Sequence, residues 1–479
     1  MLNSVDFSGR PFHFIGIGGI GMSALAYVLT QKQLPVYGSD LCLNHITQRL
    51  QENGAHIFWS QDAANLETFK PVLPQVICST AVTTANPEYR AALELGCPIL
   101  HRSDLLAALI QESHGIAVAG THGKTTTSSM IGYMLWQAGL DPTIVIGGEV
   151  TAWEGNAKVG QGEYLVAEAD ESDGSLVKFA PQIGVITNVE LDHPDHYSSL
   201  EQVVDIFQTF ANQCQTLIGC IDSPALRGLQ PSLTYSLSPD AGADYWAEQI
   251  QYGAAGTVAE IWERGKSLGQ LKIKLLGTHN LSNALAAVAV GRHLGLEFSQ
   301  IAAGLAGFEG ARRRFEHRGE ANQILFIDDY AHHPSEVQVT LAAARLRVED
   351  ANSQYRRVVA VFQPHRYSRT LTFLDDFAES FGDADLVLST DIYSAGEPDL
   401  GQISGLDLAE AIGRHQAQVV YQSTLQSVSA YLMETLMPGD LVLFLGAGNL
   451  NRIIPELVTF YQQVEQTRQT VMASGLAST

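Results

Sequence analysis

The sequence predicts an α/β protein built on parallel sheets and divided into about three domains. Short apolar runs of strand length recur along the chain, each ending in a glycine or an acidic pair. Amphipathic stretches of helical length lie between them, the pattern of repeated βαβ units. The third observation is length: 479 residues, at roughly 100–200 residues per domain, suggest about three.

Composition bounds the function. With 46% hydrophobic residues the chain can build its cores without disulfides or structural metals. The formal net charge is −23, which disfavours nucleic acid and anionic membrane surfaces as partners. Any site for an anionic substrate must therefore gather its cations locally. The five cysteines (Cys42, Cys78, Cys97, Cys214, Cys220) show no CxxC spacing, which argues against a disulfide framework or zinc cluster and fits a reducing cytoplasm. No signal-peptide layout and no apolar run of membrane-spanning length is found.

The first strand is Phe12–Ile15, and the loop Gly16-Ile17-Gly18-Gly19-Ile20-Gly21 joins it to the helical stretch Ser23–Gln31. The spacing is G-x-G-x-x-G, whose glycines allow a tight turn and close approach of a pyrophosphate to a helix N-terminus. Asp40 ends the next strand, Pro35–Gly38, where a ribose-binding acid would sit. By itself the segment fits NAD, a UDP-sugar or a ligand-free turn.

The second strand, Gly115–Ala119, runs into Gly120-Thr121-His122-Gly123-Lys124-Thr125 and the helix Thr125–Gln137. The full phosphate-loop pattern asks for glycine five residues before Gly123, and Val118 stands there. The functional end is intact: backbone N–H groups around Gly123, the Lys124 ammonium, and the Thr125 hydroxyl for Mg²⁺, with Thr126 opening the helix whose dipole faces the phosphates. Mg²⁺ needs carboxylates from a neighbouring strand end. Tyr164–Ala167 leads into four acids, Glu168, Asp170, Glu171 and Asp173, and Ile183–Thr187 leads into Glu190, Asp192, His193, Asp195 and His196. Imidazole is an unusual Mg²⁺ ligand, so His193 reads equally as a metal or proton-transfer group and as a structural histidine. Leu200–Gln213 is a further helix candidate, and Asp222–Gly269 reads as strands and loops.

In the last third, Gly277-Thr278-His279-Asn280 opens the helical stretch Asn280–Leu294 that carries Asn283, amides suited to an adenine edge or to capping. Arg312-Arg313-Arg314 is a basic run suited to an anion, or a solvated face. The strands Ile324–Ile327 and Val358–Phe362 end in segments rich in charge and imidazole, and Leu441–Leu445 ends in a glycine turn. Strand ends are where open α/β sheets bind ligands. The tail from Gln466 is polar and small, and is expected to fray.

Taken in order, Gly16–Ser23 (GIGGIGMS), Gly120–Thr127 (GTHGKTTT), Glu168–Asp173 (EADESD), Gly277–Asn283 (GTHNLSN), Arg312–Glu316, Asp329–Glu336 (DYAHHPSE) and Gln363–Thr370 (QPHRYSRT) resemble the motif set of the Mur ligases of bacterial cell-wall synthesis. The resemblance spans nearly the whole chain. It implies a Rossmann-like N-terminal domain (1–107) for the UDP part of a substrate, a central P-loop ATPase-type parallel-sheet domain (108–314) for ATP, and a Rossmann-like C-terminal domain (315–479) for an amino acid. Gly18, Gly19, Ile20, Gly21 and Asp40 would then hold UDP rather than NAD, with Ser79, Thr80 and Arg102 beside them. Gly120, Thr121, His122, Gly123, Lys124, Thr125 and Thr126 would hold the ATP phosphates, Asn280 and Asn283 the adenine, and Arg313 the phosphates from the domain junction. Thr125 and Glu168 would bind one Mg²⁺ and His193 a second, with Mn²⁺ as an alternative. Tyr330, His332, Arg366 and Arg369 would face the amino acid and the reacting carboxylate.

The implied activity joins L-alanine to the lactyl carboxylate of UDP-N-acetylmuramate through an acyl phosphate, in a cytoplasmic monomer or weak homodimer. Lys124, Glu168, His193, His332 and Arg366 are the residues expected to carry the chemistry. The alternatives are ligation of a whole tripeptide to the same UDP-sugar, an NAD-dependent oxidoreductase, and a nucleotide-binding regulator without catalysis.

Overall fold

The computed structural model describes residues 5–253 and 255–476. The first sheet is parallel throughout, built from β1 (Phe12–Ile15), β2 (Val36–Ser39), β3 (His56–Phe58), β4 (Gln75–Cys78) and β5 (Ile99–His101) in the order β3-β2-β1-β4-β5. Around it lie helices α1 (Ile20–Gln31), α2 (His45–Glu52), α3 (Pro87–Leu95) and α4 (Arg102–Gln111). The strand order reverses at β1, so the loops after β1 and β4 flank a switch point, the crevice where ligands bind in such sheets. The division expected at 107/108 falls inside α4.

The central sheet contains β6 (His114–Ala119), β7 (Thr143–Val150), β8 (Gly155–Lys158), β9 (Tyr164–Glu168), β10 (Ile183–Ile186), β11 (Thr216–Cys220), β12 (Leu233–Ser236), β13 (Tyr245–Gly253), β14 (Gly256–Glu263) and β15 (Lys266–Ile273). Its order is β15-β14-β13-β12-β11-β10-β6-β9-β7-β8. Helices α5 (Lys124–Gln137), α6 (Leu200–Gln213), α7 (Pro224–Gly228), α8 (Thr278–His293) and α9 (Phe298–Ala306) complete the domain. The expected parallel sheet covers its middle. At the edges β8 runs antiparallel to β7, and β13, β14 and β15 form an antiparallel meander. Connections this short cannot return a chain to a parallel neighbour. The decisive feature for function is that β6 lies between β10 and β9. The loop after β6 therefore opens between the ends of those two strands.

The third sheet comprises β16 (Glu316–Ala321), β17 (Ile324–Asp329), β18 (Arg357–Phe362), β19 (Leu386–Ser389), β20 (Val419–Tyr421) and β21 (Asp440–Leu445), ordered β16-β17-β21-β18-β19-β20, with only β16 antiparallel to its neighbour. Helices α10 (Pro334–Glu349), α11 (Tyr367–Thr372), α12 (Leu374–Ala378), α13 (Gly405–Ile412), α14 (Leu425–Thr435) and α15 (Ile454–Leu476) surround it. Strands β17 and β21 are buried along their whole length, as expected when helices cover both faces of a parallel sheet. One apolar cluster lies on each face. The tail expected to fray continues α15 to Leu476, and residues 477–479 lie outside the described part.

A single apolar cluster joins the first domain to the second, running from Phe12 and Leu25 to Ala167 and Phe207. All five cysteines are free. Among the described residues no helix is long and apolar enough to cross a membrane.

Candidate active site

Helix α5 starts directly after Gly123, which sits in the left-handed region at φ 81° and offers no capping side chain. Its first-turn N–H groups are thus left without side-chain acceptors, the arrangement that receives an anion. The loop before it is pinned to the end of β10: Asn188 Oδ1 accepts the His122 N–H at 2.8 Å, and Thr187 Oγ1 donates to the His122 carbonyl at 2.6 Å. An added Cβ on Gly123 would stand 2.6 Å from Asn283 Oδ1 on α8. Only glycine fits that contact and that φ together.

The acid-tipped strands meet this loop. Thr125 Oγ1 lies 2.9 and 3.0 Å from the two Glu168 carboxylate oxygens at the end of β9. A hydroxyl beside a carboxylate is a hard-oxygen pair suited to a small divalent cation. Lys124 Nζ donates to the carbonyls of Gly120 (2.7 Å) and Thr121 (3.1 Å) and pairs with Glu171 Oε1 at 2.9 Å. Burial works against the Lys124 ammonium, but Glu171, Asp170 and Glu168 outweigh it and raise its pKa. Burial also pushes the Glu171 carboxyl up to about 7 despite Lys124. Glu171 Oε2 is buried without a hydrogen-bond partner. His193 Nε2 is 3.5 Å from Asp192 Oδ2 and 4.0 Å from Glu171 Oε1. Its backbone is left-handed at φ 54°, strain that concentrates at functional positions. Burial lowers its pKa, keeping a nitrogen lone pair available.

On the N-terminal side, Gly18 N–H donates to Asp40 Oδ2 at 2.8 Å. The acid expected to meet a ribose therefore shapes the glycine loop itself. Arg102, at the start of α4, pairs with Asp170 and Asp173, both at 3.1 Å. It joins the first domain to the acidic tip of β9. Gly19 caps α1 without a side-chain hydrogen bond, and Ile20 and Gly21 form its first turn. Ser79, half-buried, and Thr80, exposed, follow β4 across the switch point from the glycine loop.

A cavity of about 170 Å³ lies between the central and C-terminal domains, lined among others by His122, Gly123, Thr126, Asn280, Asn283 and Arg314. Asn283 Oδ1 accepts from Thr127, and Asn280 Nδ2 donates to the Leu276 carbonyl at 2.8 Å, so both amides are already engaged. Arg313, expected here, turns away. Its guanidinium reaches the Gly446 carbonyl at 2.5 Å and Asp328 at 3.5 Å. The left-handed backbone of Arg313, φ 57°, rotates successive side chains apart, and its neighbour Arg314 faces the cavity instead. Tyr330 is the point they share, its ring lying under both guanidiniums.

The remaining C-terminal residues converge on the end of β10. Arg369 is 2% exposed and grips Asp192 Oδ1 through Nε (2.9 Å) and Nη2 (2.8 Å). Burial opposes the Asp192 charge, but Arg369 outweighs it and holds the carboxyl far below its usual range. Arg366 Nη1 pairs with Asp195 at 2.5 Å. His332 Nδ1 lies 2.8 Å from the Tyr330 carbonyl, and burial drops its pKa to about 3 even with Glu336 beside it. His122 is the opposite case. Burial works against its charge, yet Glu190 and Glu336 raise it to about 9. Motif reading did not single out Glu171, Glu190, Asp192, Arg314 or Glu336 as site residues. The acid runs were visible, but which acid points into the cleft depends on turns that spacing does not encode.

Three family models match the chain in order: the Mur ligase family catalytic domain over residues 11–114, the Mur ligase middle domain over 118–291, and the Mur ligase glutamate ligase domain over 313–448. The chain is 68% identical over 477 residues to the UDP-N-acetylmuramate–L-alanine ligase of Nostoc punctiforme, covering 96% of this chain and 98% of that one. Among solved structures it is similar to the UDP-N-acetylmuramate-alanine ligase of Thermotoga maritima, with 28% identity, a TM-score of 0.80, and coverage of 95% and 99%. A murein peptide ligase from Psychrobacter arcticus follows at 25% identity and TM-score 0.67, with the same coverage.

Proposed function

The chain belongs to the Mur ligase family, and from that premise we propose that it joins L-alanine to the lactyl carboxylate of UDP-N-acetylmuramate, with ATP cleaved to ADP and phosphate. Full-length similarity to ligases of that name supports the alanine reading over the tripeptide one. The observation that carries it is the meeting of the Lys124 phosphate loop, the Thr125–Glu168 pair and the cationic C-terminal segment in one cleft.

In this reading the lactyl carboxylate oxygen attacks the γ-phosphorus and ADP leaves. The alanine nitrogen, as the free amine, then attacks the acyl phosphate carbonyl; phosphate leaves, and the proton the nitrogen sheds as the amide forms passes to solvent. No protein nucleophile is required, so the chain's task is positioning and charge neutralisation. Lys124 and the α5 N-terminus grip the ATP phosphates, and Asn280, Asn283 and Arg314 frame the base-side cavity. The glycine loop, Ser79, Thr80 and Arg102 hold the UDP portion. Tyr330, His332, Arg366 and Arg369 face the amino acid. His332, kept neutral by burial, accepts a hydrogen bond from the amine and orients it. Thr125 and Glu168 would hold Mg²⁺ or Mn²⁺, and His193 a second ion. Such ions, when bound, offset phosphate charge. The free cysteines suit the cytoplasm, and a monomer or weak homodimer suffices because the cleft is built within one chain.

Phosphate release with UDP-N-acetylmuramate, ATP and a panel of amino acids tests the proposal. L-alanine should support turnover. Release supported by the tripeptide alone would overturn the assignment.

A further inference from the structure

His122, Glu190 and His333 form a cluster outside the Thr125–Glu168–His193 set, at the junction of the central and C-terminal domains. One donor atom from each lies within 4.8 Å of the others. His122 Nε2 is 3.4 Å from Glu190 Oε2. Ser335 Oγ, in the first turn of α10, is 2.8 Å from Glu190 Oε2, 2.8 Å from His333 Nδ1 and 3.2 Å from His122 Nε2. Ser335 Oγ thus touches all three groups, the His122–Glu190 contact closes the set, and these four separations are 2.8–3.4 Å. Ligand distances of about 2.0–2.1 Å around zinc require tetrahedral edges of roughly 3.3 Å.

The outer partners match as well. His122 Nδ1 faces Glu336 Oε1 at 3.2 Å, and His333 Nε2 faces the Leu191 carbonyl at 3.2 Å. Each imidazole has its far nitrogen engaged by an oxygen, which turns the near nitrogen toward the common centre. This is how metal-bound histidines are oriented. Two imidazoles, one carboxylate and one exchangeable hydroxyl suit Zn²⁺ or a similar borderline cation better than Mg²⁺, which prefers oxygen alone.

We propose that His122, Glu190 and His333, with Ser335 at the fourth corner, form a zinc-class cation site that joins the phosphate loop to the entry of α10. His122 and Glu190 belong to the central domain, His333 and Ser335 to the C-terminal one. A cation bound there fastens the two domains in the wall of the nucleotide cavity, which His122, Glu190 and Ser335 line. The site is separate from the ions implied for ATP chemistry.

The test titrates the full chain with Zn²⁺ alone against a chromophoric chelator, in excess Mg²⁺ that fills oxygen-rich sites. One Zn²⁺ should bind per chain, and Co²⁺ in its place should give the intense visible absorption of four-coordination. His333→Ala and Glu190→Gln should each weaken this step by at least about tenfold, and Glu336→Gln by about 10–100-fold, while His193→Ala leaves it in place. If His333→Ala does not fold, anomalous scattering at the zinc edge from wild-type crystals locates the ion directly. Loss of the step in His193→Ala with retention in Glu190→Gln overturns the proposal. A six-coordinate cobalt spectrum, or anomalous density elsewhere, does the same.

Discussion

Lys124 is held by oxygens of its own chain, two carbonyls and Glu171. Its proposed role makes a separable prediction. Lys124→Ala should cut phosphate release by at least about a hundredfold, the scale of losing one preorganised donor at a developing charge. Binding of the UDP-substrate, followed by calorimetry, should persist; unchanged turnover would remove Lys124 from the mechanism. Buried histidines predict a pH effect. His332, His365 and His279 have pKa values of about 3, 4 and 4, each lowered chiefly by burial. Lowered pKa values mean that the native state resists protonation. The stability these groups confer is full above pH 6.5, the ordinary histidine value, and is lost as pH falls toward 4. The slope should be up to about 1.4 kcal/mol per pH unit for each histidine. Urea unfolding across pH 4–7 measures it, and His332→Gln should reduce the slope by about one proton. Lys124, Thr125 and Glu168 were legible in the sequence because their neighbours fix their directions. Arg314 was not: the turn at Arg313 decides which arginine of three enters the cavity.

At the level of elements, the strand–loop–helix units were legible because each strand core is a continuous apolar run closed by a turn. Phe12–Ile15 and Leu200–Gln213 coincide with β1 and α6 residue for residue. The meander β13–β15 was read only as strands and loops. Its burial alternates, as in Tyr245–Gly253, so polar residues interrupt every apolar run. The strand order was not readable at all, because it is set by crossovers. Yet it is the order, β10-β6-β9, that places Glu168 and His193 on either side of the phosphate loop. The loop's backbone gives a test at this scale. Gly120 sits at φ 136°, and a Cβ there would collide with Thr187 Oγ1 and crowd the Thr187 and Asn188 N–H groups. Gly120→Ala should cost about 1–3 kcal/mol in stability and weaken nucleotide binding, read by thermal unfolding with and without ATP. An unaltered melting temperature would mean that the β6–β10 junction yields more easily than its packing suggests.

For the whole molecule, the clasp between domains is the Arg369–Asp192 pair, 2% and 6% exposed at the side chains. Asp192→Asn leaves a buried guanidinium without its counter-charge, a change that typically costs about 3–5 kcal/mol. Lower stability and a larger radius of gyration by small-angle scattering are expected. Equal radii for variant and wild type would show that the domains are held elsewhere. The pairing has a wider meaning in a chain of net charge −23. Lys124, Arg102 and Arg366 each hold a carboxylate already. Under the proposed function the cleft would behave as an ion exchanger. Each incoming phosphate or carboxylate would displace one of the protein's own acids, and each displaced acid would be free to take up a divalent cation. Nucleotide and metal should then load as a neutral salt rather than as separate charges, and their joint affinity should vary less with ionic strength than either alone.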